Sequence, residues 1–159
     1  MEENLEKYEA RDIAKFFIEC AESEGRNDMS PLKIQKLVYF AHGMYLAMTG
    51  GKPLIEEDVY AWIYGPVIKP LYRELKIWGS KTVPSDFFDD AKKVSENKEI
   101  ADFLKNIWEL LKKYTAVQLS MMTHEKNGPW DKVFIENHGS NEGKIENKDM
   151  MVYFSKFFK

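Results

Sequence analysis

The stretch from Ser30 to Gly51 constrains the fold more than any other part of this chain. Ser30-Pro31 opens it, since a serine hydroxyl accepts from the orphan amides of a helix start and proline occupies the first helical position without losing a needed bond. Gly50-Gly51 closes it. Between them, Leu32, Ile34, Leu37, Val38, Ala41, Tyr45, Leu46 and Met48 spread over too wide an apolar arc for an ordinary surface helix. Such a helix has to be surrounded, so the other segments are expected to pack about it as the spine of a core.

Those segments are mostly helical. Ile13, Phe16, Phe17, Cys20 and Ala21 fall at i, i+3, i+4, i+7 and i+8, which predicts a helix over residues 10–24, stopped at Gly25. Ile100, Phe103, Leu104, Ile107, Trp108 and Leu111 predict a second amphipathic helix over 98–113. Thr115 and Gln118 have the capping-box spacing, which predicts a further helix over 116–124. Val67, Ile68, Leu71, Tyr72, Leu75 and Trp78 have helical spacing after Gly65-Pro66, and a short turn is expected around Phe87 and Phe88. Trp130 to Phe134 reads as a short helix after Gly128-Pro129, residues 137–147 as polar loop, and Asn147 as the cap of a terminal helix over 148–158 docked on the core. Only Val59 to Tyr64, β-branched and aromatic, reads as a strand. The expected fold is mainly α: one domain over residues 1–159, with six or seven helices and at most a short β-strand or hairpin.

Composition narrows the function. Twenty-three basic against twenty-six acidic residues leave a net charge of −3, which provides no global field for nucleic acid. A lone cysteine, Cys20, excludes an intramolecular disulfide and a thiolate zinc site, and its neighbours Phe16, Phe17 and Ala21 suggest a buried thiol. The acidic start Met1-Glu2-Glu3-Asn4 is unlike a secretory leader and no apolar run approaches a membrane span, so a cytoplasmic location is expected.

Catalytic patterns are poorly represented. The three histidines, His42, His124 and His138, have no nucleophile context, Gly-x-Ser-x-Gly is absent, and Gly50-Gly51 lacks the lysine and hydroxyl of a phosphate loop. His42, His124 and Glu125 are the one trio worth weighing as a metal or catalytic site, and their spacing matches no zinc pattern. No cofactor and no metal are expected. Lys33 and Lys36, with Gln35 and Tyr39, form a candidate polar face near a helix N-terminus, their charged tips expected in solvent while Ile34 and Leu37 face inward; an ordinary solvated helix face is the competing reading.

Three blocks carry a resemblance. The first is Leu32-Lys33-Ile34-Gln35-Lys36-Leu37-Val38-Tyr39-Phe40-Ala41-His42-Gly43, continuing to Leu46-Ala47-Met48-Thr49-Gly50. Trp62-Ile63-Tyr64-Gly65-Pro66-Val67 is the second, followed by Leu71-Tyr72 and Gly79-Ser80, and Thr123-His124-Glu125-Lys126-Asn127-Gly128-Pro129-Trp130 is the third. In order and content they resemble the Panacea-domain family of GepA-like, phage-associated proteins and antitoxins, His42 departing from a common glutamine. The resemblance implies a compact helical domain that acts as the antitoxin of a prophage-associated toxin–antitoxin pair, neutralising a toxin encoded nearby by direct contact.

On that reading the partner-binding candidates are Lys33, Gln35, Lys36, Tyr39, His42, Trp62, Tyr64, His124 and Trp130, since aromatic and basic residues anchor interfaces. At least one of Trp62 and Trp130 is expected in the core instead. Gly65, Pro66, Gly128 and Pro129 are expected to shape turns. Two alternatives stand beside it: an adaptor delivering a bound partner to a protease, and an enzyme with a site around His42, His124 and Glu125.

Overall fold

A computed structural model describes residues 7–158; the Met1–Asn4 segment lies outside them. Among the described residues there are seven α-helices and three short strands. Helix α1 spans Ala10–Ser23 and α2 spans Pro31–Thr49, followed by strands β1, Val59–Trp62, and β2, Gly65–Val67. Helices α3, Lys69–Leu75, α4, Lys98–Leu111, α5, Ala116–Met122, and α6, Pro129–Glu136, come next. Strand β3, Lys144–Ile145, and helix α7, Asn147–Ser155, complete the order, with short 3₁₀ turns at Lys76–Trp78, Ser85–Phe88, Val94–Glu96 and Lys156–Phe158.

Helix α2 is the spine. The Ser30 hydroxyl accepts from the Lys33 amide, Pro31 begins the helix, and Gly50 ends it in the left-handed region at φ 73°. Every residue from Lys33 to Met44 is buried, because α1, α4, α5 and α7 surround it. The closest crossing is at Gly43, where a Cβ would stand 2.2 Å from the Phe154 ring of α7. That ring packs edge-on against Tyr39 and Phe40, with centroids 5.7 and 5.9 Å away.

Helix α4 packs on α1 as well as on α2. The residues at 3.6-residue spacing on α4 are all buried, and Trp108 lies over Phe17 while its indole donates to Glu24 at 2.9 Å. Cys20 is only half-buried, which corrects the expectation of a buried thiol; partial burial and nearby carboxylates push the thiol up to about 11. Thr115 and Gln118 form the reciprocal capping box that their spacing predicts.

The β element is larger than a hairpin. Strand β1 lies between β2 and β3, both antiparallel, with Tyr60 opposite Val67 and Trp62 opposite Gly65 on one side and Val59 opposite Ile145 on the other. Strand β1 stops at Trp62, two residues before the predicted end, because Ile63 and Tyr64 form the turn. Strand β3 falls in the stretch expected to be polar loop, and Val67 belongs to a strand instead of the following helix. Asn147 does not cap α7: Glu146 holds the cap position and the Asn147 side chain bonds His42.

Candidate functional site

The β1–β2 turn is the place where the three sequence blocks meet. Tight turns leave carbonyls pointing away from their own strands, and buried carbonyls need donors. Here each of them is met by a side chain from a distant element. The Trp130 indole donates to Trp62 O at 2.6 Å, His124 Nε2 lies 3.3 Å from Ile63 O, and the Ser120 hydroxyl donates to Tyr64 O at 2.6 Å. Lys36 Nζ donates to Pro66 O at 3.0 Å, and the Gln35 amide bonds both the amide and the carbonyl of Ile68 at 3.1 Å.

The clamp is close-fitting. Gly65 adopts φ 113°, and a Cβ there would lie 2.7 Å from Thr123 Oγ1 and 2.9 Å from Lys36 Cε, so both the conformation and the space require glycine. Thr123 in turn donates to Ser120 O, to which His124 Nδ1 also points at 2.6 Å. The His124 ring lies 3.8 Å from that of Trp130, which stacks on Phe134. At the second glycine, Gly128, a Cβ would come within 3.0 Å of the Glu125 carbonyl, and Pro129 then starts α6.

Six of the nine candidate contact residues are buried, Trp130 and the five on α2, and for those five this corrects the expectation that they face a partner. Lys33 Nζ bonds Asp28 and the Lys112 carbonyl, both at 2.8 Å, and Arg26 reaches the same carbonyl, so two cations meet the negative end of α4. Lys36 has no exposed surface, and burial pushes its amine down to about 7. Gln35 is committed to Ile68. Tyr39 lies among the aromatic rings of the core. His42 accepts from the Ile55 amide at Nδ1 and so donates from Nε2 to Asn147; burial lowers its pKa and the Asn147 bond partly offsets this. The reason is common to all five: a helix enclosed all round has no solvated face for its polar side chains.

The remaining candidates sit at the turn. Trp130 is buried, whereas Trp62 is half-buried, packed on Tyr72 at 4.9 Å with its indole donating to Asn141 O. Tyr64 is 70% exposed and its neighbour Ile63 63% exposed. Beside them is a groove of about 530 Å³ lined by Leu32, Tyr64, Val117, Ser120, Met121 and His124. Val117 and Met121, 62% and 69% exposed, present an apolar edge on α5. Val117, Ser120 and Met121 are not singled out by the sequence, and Leu32, Ile63 and Thr123 enter it as members of the blocks and not as contact candidates. Val117 and Met121 are an i, i+4 pair on one face of α5, and His124, just past the helix end, points back to the Ser120 carbonyl.

The trio His42, His124 and Glu125 is not assembled into one site. His42 is held by Asn147 and Ile55, His124 by the turn, and Glu125 by Tyr153 and Lys156 at 2.8 and 3.0 Å. Among the described residues no group of three His, Cys, Asp or Glu side chains could hold a metal ion, and no helix is long and apolar enough to cross a membrane.

Fold and site together define a class: mainly helical proteins in which the shared sequence blocks converge to fix the shape of one exposed hairpin. The chain belongs to the Antitoxin SocA-like, Panacea domain family, which it matches over residues 34–131. It is 30% identical over 123 residues to "Antitoxin SocA" of Caulobacter vibrioides (strain NA1000 / CB15N), an alignment covering 72% of this chain and 64% of that relative. This chain therefore spans less than two thirds of that relative's length. No solved structure matches it.

Proposed function

We propose that this protein is an antitoxin that neutralises a toxin encoded beside it by direct contact, and that the contact is made by the hairpin tip Ile63–Tyr64 and the groove next to it. Membership of the antitoxin family supports the role. The observation that carries the surface is the clamp: side chains of the first and third blocks, together with Ser120, are committed to carbonyls of the turn in the second, and what they hold out to solvent is two large apolar residues. Preorganising a loop in this way lowers the ordering cost of binding, which favours recognition over any further stabilising role. The proposed action is that of a cytoplasmic binding protein, with no reaction and no cofactor.

Co-expression tests the reading. The product of the neighbouring reading frame should arrest growth alone and be neutralised by this protein, while Ile63→Asp with Tyr64→Ala should fold normally and fail to neutralise. Full rescue by that folded variant would take the hairpin out of the interface. Neutralisation that survives in a host without energy-dependent proteases identifies occlusion, and a requirement for one identifies delivery.

A further inference from the structure

Helix α5 is a ridge with an apolar groove on each side. One groove is that beside Tyr64; the other, about 440 Å³, lies between α4, α5 and α7 and is lined by Phe40, Leu110, Tyr114, Met122, Tyr153 and Phe157 among others. Met121 lines both, so the two form one surface across the helix. Methionine side chains at its centre adapt to what enters.

The charges at its border are one-sided. Four carboxylates near it are each matched by a cation: Asp28 by Lys33 and Arg26, Glu74 by Arg11, Glu109 by Lys112, and Glu125 by Lys156. Arg73, just after the hairpin, and Lys113 and Lys126, at either end of α5, are exposed and have no ion pair among the described residues. On a chain of net charge −3, the border of this ridge is locally basic.

Resting on the antitoxin reading, we infer that the element this surface takes from the toxin is an acidic amphipathic helix laid across α5. Two grooves separated by one helix are about 10 Å apart, and 10 Å along a helix is about seven residues, so apolar anchors at i and i+7 would fill both. Carboxylates flanking those anchors would meet Arg73, Lys113 and Lys126.

The test uses the full chain and two synthetic helical peptides, each with leucine at i and i+7, one flanked by glutamates and the other by lysines. The glutamate peptide should bind in calorimetry and shift the Met121 and Met122 methyl signals. Val117→Asp should abolish binding, and Lys113→Glu with Lys126→Glu should weaken it about tenfold and reverse the preference, with unchanged thermal midpoints. Equal binding of both peptides, binding of neither, methyl shifts elsewhere, or a self-associating chain that Val117→Asp dissociates would each overturn the acidic helix. The antitoxin reading stands or falls separately, on growth rescue by the unaltered protein.

Discussion

The two flanks of α2 are held together in different ways. Where α1 and α4 meet, stability comes from buried rings such as Phe17 and Trp108, with polar bonds only at the margin, as in Trp108 to Glu24. At the hairpin, the cohesion is polar: Gln35, Lys36, Ser120, His124 and Trp130 are all spent on backbone groups of one turn. Apolar packing tolerates exchange of side chains of similar volume, whereas a donor aimed at one carbonyl does not. That difference accounts for the blocks clustering at the hairpin, and it identifies the turn's shape as what this fold has to preserve.

Breaking the apolar flank should cost most. Trp108→Ala removes a fully buried indole, and denaturant melts should register a loss of about 3–5 kcal/mol; a loss below about 1 kcal/mol would mean that the flank repacks freely. On the polar flank, Gln35→Leu keeps the volume but strands both Ile68 backbone groups, for an expected loss of about 2–4 kcal/mol in the same melts. A near-neutral result would abolish the contrast between the flanks.

Smaller still is a pH effect confined to the hairpin side. Burial holds the Lys36 amine at about 7, below the ordinary lysine value of 10.5. Between those values the unfolded chain binds a proton that the folded chain lacks, so stability rises with pH across that window, by at most about 1.4 kcal/mol per unit. Lys36→Met should remove that slope, visible as a change of about 1–2 kcal/mol in the stability difference between the two proteins from about pH 7 to 9. His42 has the same sign at lower pH: its pKa is depressed by burial, so its contribution is lost as pH falls below about 6.5, and the two windows separate the residues. The smallest effect on stability belongs to the tip itself. Tyr64→Ala should move the thermal midpoint by the equivalent of less than about 0.5 kcal/mol while losing toxin neutralisation.

The helices were legible because their signals are local: Ser30-Pro31, the Thr115–Gln118 box and the α4 stripe all act within a turn or two. Strand β3 was not, since Lys144 and Ile145 are a strand only by virtue of β1 beside them. The site misled for a related reason. Lysine, glutamine and histidine on a helix suggest solvent, yet the apolar arc of α2 had already implied enclosure, and residues 33, 36, 40 and 43 lie on one face of it. Carrying that implication through would have turned Lys33 and Lys36 inward. Which carbonyl each would find could not be read, because the donors and the turn are far apart in the chain.

That separation also orders events during synthesis. The bonds from Ser120, His124 and Trp130 to the turn span 56, 61 and 68 residues. A nascent chain therefore carries β1 and β2 out of the ribosome with Gln35 and Lys36 already made but long before Ser120, His124 and Trp130 exist, and loop closure over such distances is slow relative to local helix formation. Until Trp130 has emerged and docked, the hairpin lacks its C-terminal donors, so the full set of bonds to the turn is complete only after residue 130 has been translated. A prematurely terminated product would have its spine helix and yet present no finished surface to anything that the complete protein engages.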